Sequence, residues 1–267
     1  MTILSYGGRW LLAVGLVVGL SGCLREDASA PPRVAAPADR PVAAIPAPAP
    51  AAVAFTRVRT SQRLVALTFD CCQTAKPAGF DRAIVDLLRA RGVPATFFLG
   101  GRWMEAHPEA VRLLAATPEF ELANHSYLHP HMTKLTAAQC REELERPQTI
   151  LSEMTGRRAR FFRPPYGEWN PTVAATAAGA GMSTVTWDIS TGDPDPHATV
   201  ADLLGEVHQA KPGSVIIMHA NGRGWKTAQA LPRILDWLKS QGLRPVTLTD
   251  LVAAGEPVAA APTRRRS

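Results

Sequence analysis

Between Leu64 and Leu248 the chain alternates short apolar runs with helix-patterned segments, and this alternation restricts the fold more than any other feature. Leu64-Val65-Ala66-Leu67-Thr68-Phe69 is a near-continuous apolar run, as expected of a strand covered on both faces. Phe80 to Arg91 follows, with Ile84, Leu87 and Leu88 at helical spacing and Gly92 as a stop. Pro94-Ala95-Thr96-Phe97-Phe98-Leu99 predicts a second strand. The same reading predicts helices over 108–116, 136–154, 170–180, 199–210 and 227–241, and strands over 119–123, 160–162, 183–188, 214–218 and 245–248. Strands and helices in strict alternation imply an α/β fold, a mostly parallel sheet with helices outside it. In such folds chemistry collects at the C-terminal ends of the strands.

The two chain ends read differently. Residues 1–22 place Arg9 before an apolar stretch from Trp10 to Leu20, the layout of a secretory signal. Leu20-Ser21-Gly22-Cys23 then resembles a bacterial lipobox, which implies a lipidated Cys23, a membrane anchor, and a place in the cell envelope after export across the inner membrane. Residues 31–54 hold 7 Pro and 10 Ala, too many fixed φ angles and missing donors for a helix or sheet to settle, so 23–60 reads as a linker. Residues 256–267 close on Arg264-Arg265-Arg266, and those three cations are half of the net charge of +6. The basic balance is therefore no sign of a nucleic-acid face. The remaining segment, 61–255, is the candidate catalytic domain. With 46% hydrophobic residues the chain can bury a core, and four cysteines are too few for a disulfide-stapled scaffold.

Polar residues punctuate the predicted strand ends. Asp70-Cys71-Cys72 ends the first strand, and His125-Ser126-Tyr127-Leu128-His129-Pro130-His131 follows the 119–123 run. Arg163-Pro164-Pro165-Tyr166 follows 160–162, Asp188 to Asp193 ends 183–188, and His219 follows 214–218. His125 and His129 stand four apart, a spacing that puts two imidazoles on one helical face and lets them converge on one cation. His131 is expected to face elsewhere.

In order, these segments resemble the five motifs of the polysaccharide deacetylase family, the NodB-homology or carbohydrate esterase family 4 domain. They are Thr68-Phe69-Asp70-Cys71-Cys72, His125-Ser126-Tyr127-Leu128-His129, Arg163-Pro164-Pro165-Tyr166, Ser190-Thr191-Gly192-Asp193-Pro194 and Ile217-Met218-His219. The resemblance spans nearly all of 61–255. It implies a distorted (β/α) barrel of about seven parallel strands and divalent-metal hydrolysis of N-acetyl groups on amino sugars, with zinc as the first candidate metal. The implied partner is an N-acetylated polysaccharide or peptidoglycan. Asp70 would be the general base and His219 the general acid, with Arg163 pairing to the base and Asp193 to the acid. Tyr166 would lend its backbone N–H to the oxyanion, and His125 and His129 would hold the metal.

The chain departs from the family pattern in two motifs. Cys71 stands where the resemblance places a third, acidic metal ligand. A thiolate there completes a zinc site; alternatively Cys71 or Cys72 pairs with Cys140 in an oxidising compartment, or the site holds metal feebly and activity is lost. The expectation carried forward is a Cys72–Cys140 bridge with Cys71 beside the metal. In the fourth motif Ser190 and Pro194 replace an Asp and a Trp, and Asp195 competes with Asp193 for its role. Trp169, Trp187 and Trp225 are candidates for stacking on sugar faces, with core packing the competing role for Trp187. Two functions remain open: an envelope deacetylase, or a catalytically silent glycan-binding lipoprotein of the same fold. Hydrolysis of another non-peptide C–N bond would use the same residues.

Overall fold

A computed structural model describes residues 53–73 and 78–263. The segment 1–22 read as a signal, the expected lipidation site Cys23, most of the expected linker and Arg264-Arg265-Arg266 lie outside the described residues.

Ten strands form one curled sheet. They are β1 (Ala54–Arg59), β2 (Leu64–Cys71), β3 (Ala95–Leu99), β4 (Phe120–Asn124), β5 (Phe161–Phe162), β6 (Ser183–Val185), β7 (Ile189–Ser190), β8 (Val215–His219), β9 (Arg244–Val246) and β10 (Glu256–Ala259). The spatial order is β10-β1-β6-β5-β4-β3-β2-β8-β7, with β9 on β2, and every pairing is parallel except β1 with β10. Among the described residues, eight helices cover it: α1 (Arg82–Ala90), α2 (Gly101–Ala106), α3 (Pro108–Ala115), α4 (Ala137–Thr155), α5 (Pro171–Gly179), α6 (Val200–Val207), α7 (Thr227–Ser240) and α8 (Leu248–Ala253). Among the described residues, no helix is long and apolar enough to cross a membrane.

The sheet curls until β1 meets the start of β8. An antiparallel bridge joins Arg57 to Ser214, and the Val58 N–H donates to the Gly213 carbonyl at 2.9 Å. Gly213 has φ +88°, and a Cβ there would lie 1.7 Å from the Val58 oxygen, so only glycine fits this seam. The result is the expected distorted barrel.

Strand alternation sorts its side chains into two layers. On β2, Val65, Leu67, Phe69 and Cys71 face the helices, joined by Phe97 and Leu99 of β3 and by Ile216 and Met218 of β8. The even-numbered Leu64 and Ala66 face the barrel interior with Phe98, Ala123, Val185 and Val215. The interior is thus apolar at its floor. Thr68 and Asp70 continue the same inward face toward the C-terminal rim.

The folded body is wider than the 61–255 domain expected. β1 comes from the end of the presumed linker, and β10 from the presumed tail; they pair with each other beside β6. The β1 sequence AFTRVR escaped a strand reading because a register shift between Phe55 and Arg57 breaks its alternation. Of the expected strand 183–188 only Ser183–Val185 is strand, as β6; β7 follows at Ile189–Ser190 beside β8, so the chain crosses from one side of the barrel to the other. The expected strand 245–248 stops at Val246, because Thr247 caps α8 by accepting the Asp250 N–H.

Candidate active site

Five C-terminal strand ends bring their polar residues to one rim. The decisive pairing is in the backbone: β2 and β8 are adjacent and in register, with Asp70 opposite His219. Neighbouring strands lie about 4.8 Å apart, so acid and base candidates share one wall of the pocket.

Asp70 is buried and receives two partners. Its Oδ1 accepts from Arg163 Nη1 at 2.7 Å, and its Oδ2 lies 3.3 Å from His125 Nε2. Burial pushes this carboxyl up, but the charge and hydrogen bond of Arg163 and the charge of His219 outweigh it, so the net shift is downward and Asp70 stays ionised. Arg163 is itself fully buried. Its Nη2 donates to Thr68 Oγ1 at 2.8 Å and to the Thr186 carbonyl at 3.2 Å, and its guanidinium lies 4.0 Å from the Phe98 ring centre. Thr68 thus helps aim the arginine, a role that its place two residues before Asp70 on the inward face makes readable in retrospect.

The second pair stands opposite. His219 Nδ1 meets Asp193 Oδ1 at 2.9 Å, while Asp193 Oδ2 accepts the His219 N–H at 2.7 Å and the Thr227 hydroxyl at 2.6 Å. Asp193 is therefore anchored at both oxygens. Burial pushes the His219 imidazole down, but its hydrogen bond to Asp193 and the charges of Asp193 and Asp70 raise it overall. Asp195 has no part in the pair; it is exposed, and its Oδ1 accepts the His197 N–H at 2.9 Å. Asp188 is at the far end of β8, holding Val215 N and Ser214 Oγ.

His125 and His129 meet, though not on a helix. The segment between them is a turn in which Ser126 (φ 64°) and His129 (φ 60°) are left-handed. With Tyr166 (φ 59°) these are the three non-glycine residues of positive φ among the described residues, and all three border the site. Glu143 on α4 pins the turn by accepting the Tyr127 and Leu128 N–H groups at 2.9 and 2.8 Å, and Asn124 Oδ1 accepts the Ser126 N–H at 2.9 Å. Neither Glu143 nor Asn124 was marked by any sequence motif. The two imidazole centres lie 5.0 Å apart.

The third donor is Cys72. One ligand atom from each of Cys72, His125 and His129 lies within 4.8 Å of the other two. This corrects the expectation for Cys71, whose side chain faces the helix layer because it alternates with Asp70, while Cys72 continues the Asp70 face. Cys71, Cys72 and Cys140 are all free, so the expected Cys72–Cys140 bridge is absent; Cys140 Sγ instead contacts the Met132 carbonyl at 3.5 Å.

This donor set fits a divalent cation. His125 Nδ1 lies 2.8 Å from the Arg163 carbonyl, which only accepts, so Nδ1 carries the proton and a bare Nε2 faces the Asp70 carboxylate. His129 Nδ1 is buried with no hydrogen-bond partner. Burial holds His125 low and takes His129 down to about 3, so both imidazoles are neutral as ligands must be.

Tyr166 sits at the rim, exposed, between His131 and His129, with ring centres 4.3 and 4.7 Å away. His131 is no ligand; its Nδ1 lies 2.8 Å from Glu168 Oε2. Of the three tryptophans, Trp169 is buried in the core and Trp187 packs against the barrel floor and the Arg163 guanidinium. Trp225 is 56% exposed.

Comparison with known proteins agrees with this geometry. Residues 57–185 match the family model for polysaccharide deacetylase. The peptidoglycan-N-acetylglucosamine deacetylase of Bacillus cereus is 32% identical over 189 residues, covering 70% of this chain and 67% of that one. The chain belongs to the polysaccharide deacetylase family. Among solved members, a family 4 carbohydrate esterase from Streptomyces lividans in complex with acetate matches with 32% identity and a TM-score of 0.63 over 77% of this chain and 100% of that one. A family pseudoenzyme from Bacillus anthracis matches with 27% identity and a TM-score of 0.68 over 76% and 71%. A mutant of it with restored enzymatic activity matches equally well. The chain spans about half the length of YlxY, an uncharacterised Bacillus subtilis relative (52%), and 26–31% of two bifunctional xylanase/deacetylases.

Proposed function

We propose that this family member removes N-acetyl groups from an amino-sugar glycan of the cell envelope. The observation that carries the reading is the Asp70–His219 register pair, in which each member has its own opposite-charge partner. A divalent cation held by His125, His129 and the sulfur of Cys72 would supply the positive charge that acidifies water and polarises the acetyl carbonyl.

The chain's own residues do the proton work. Asp70, kept ionised by Arg163, accepts the proton of the attacking water. An amine anion is too poor a leaving group to depart unprotonated, so His219 delivers a proton to the nitrogen as the C–N bond breaks. Asp193 keeps His219 charged and aimed. The Tyr166 backbone borders the place where the carbonyl oxygen gathers charge. A peptidoglycan or chitin-type substrate is supported by the B. cereus relative, which acts on N-acetylglucosamine of peptidoglycan.

The test is acetate release from peptidoglycan and from N-acetylglucosamine oligomers. Release is expected with the metal-loaded protein, with loss on chelation and recovery on adding zinc. A folded, metal-loaded protein that releases no acetate from either substrate sinks the reading and favours the silent glycan-binding alternative, which the structural likeness to a pseudoenzyme supports. The envelope location rests on Cys23. Cys23→Ser is expected to move the protein from the membrane to the soluble fraction; continued membrane association removes the lipid-anchor reading.

A further inference from the structure

We infer that the Cys72 thiolate is the third metal ligand of this chain, and that Asn221 and Gly100 hold it there, so that the site selects a thiophilic cation such as zinc over magnesium or calcium. This deepens the reading above by naming the cation class, and it rests on the metal site that reading uses.

Three observations converge. Cys72 follows the inward face of β2, and its sulfur joins His125 and His129 in a cluster whose donors lie within 4.8 Å of one another. One sulfur and two imidazole nitrogens form a three-ligand zinc set with a position left open. Hard cations prefer oxygen donors and gain little from sulfur.

The cysteine is also held from two sides. Asn221, fully buried two residues beyond His219, donates from Nδ2 to the Cys72 carbonyl at 2.7 Å and points the same group at Cys72 Sγ, 3.5 Å away. An N–H aimed at sulfur orients it, the usual task of an outer partner to a metal ligand. On the other side Gly100 closes in; a Cβ there would lie 3.3 Å from Cys72 Cα. Cys71 points the other way, into the apolar helix layer, away from His125 and His129.

Binding balances simply. The Cys72 thiol gives its proton to solvent, the sulfur lone pair goes to the cation, and the two neutral imidazoles bind without losing a proton.

The experiment is X-ray absorption at the zinc edge on the full-length, unmutated chain loaded with one equivalent of zinc. One sulfur scatterer at ~2.3 Å beside nitrogen at ~2.0–2.1 Å is the expected shell. Cys71→Ala should keep the sulfur shell. Cys72→Ser should lose it and weaken zinc binding by more than the ~10–100-fold typical of losing an outer partner, and Asn221→Ala by about 10-fold. In competition dialysis, a given excess of magnesium should lower zinc occupancy more in Cys72→Asp than in the unmutated protein. A sulfur-free shell in the unmutated chain overturns the inference whatever the variants do. So does a shell that survives Cys72→Ser, or one lost in folded Cys71→Ala. A normal sulfur shell without acetate release leaves this assignment standing and removes the deacetylase reading instead.

Discussion

Asp70→Asn is expected to cut turnover by roughly 10²–10⁴-fold, the usual contribution of a positioned base. Asparagine keeps the shape and can still accept from Arg163, but it has no charge to take up a proton. Metal content should stay near that of the unmutated protein, because Asp70 lies outside the Cys72, His125 and His129 donor set. Stability should fall as well. Arg163 is fully buried and Asp70 is its single carboxylate partner among the described ion pairs. Breaking a buried pair by removing one charge costs at most about 3–5 kcal/mol, and the surviving hydrogen bond reduces that. The three measurements are kcat, metal per chain by elemental analysis, and Tm. Unchanged kcat in a folded, loaded variant would strip Asp70 of the base role, and loss of metal would reassign it to the ligand set.

The parts of the site that lay in short contiguous motifs were legible before any coordinates. Asp70, Arg163, His125, His129, Asp193 and His219 all reach one rim, because parallel strands deliver their C-terminal ends to the same side of a sheet. The partners that hold these residues were not legible. Glu143, Asn221 and Thr227 act from a helix face, a loop and a helix start, through one or two hydrogen bonds to residues outside their own elements. No local pattern marks such a contact. The outer strands escaped for a different reason: β1 and β10 are short, and they pair with each other across about 200 residues, while β1 reaches the rest of the sheet through β6.

The cysteines show how the same rule can be missed and then used. A motif compared letter by letter puts Cys71 in the ligand position. Strand geometry puts it on the opposite face from Asp70, since side chains alternate with period two. Once Leu64, Ala66, Thr68 and Asp70 are assigned to the interior, Cys72 follows on that face and Cys71 joins Val65, Leu67 and Phe69. That step needs only the strand, so the face that each cysteine takes was readable in the sequence. The His125–His129 spacing, in contrast, led to the right pair through the wrong local structure. A left-handed turn, not a helix, brings the rings together.

His219→Ala should be the other large loss, and its size should depend on the leaving group. For an N-acetyl amide the departing nitrogen needs a proton, so turnover should drop roughly 10²–10⁴-fold. For an activated aryl acetate, whose phenolate leaves unaided, the drop should be far smaller. Equal losses on both substrates would mean that His219 only shapes the pocket. A pH profile separates the acid from its anchor. Burial lowers His219, yet the hydrogen bond and charge of Asp193, together with the charge of Asp70, raise it above the ordinary imidazole value. The protonated form that catalysis needs therefore persists to higher pH than in an ordinary imidazole and is lost as pH rises past that raised value. The same sign governs stability: the His219–Asp193 contribution is complete below the ordinary imidazole range and fades as pH climbs through the raised one. Asp193→Asn removes the charge that does the raising, so the alkaline limb of kcat/KM for the amide should move to lower pH. Alanine at 219 abolishes that limb's imidazole, and no Asp193 substitution should shift what remains. An alkaline limb that stays in place in Asp193→Asn would show that a group other than His219 hands the proton to the amine.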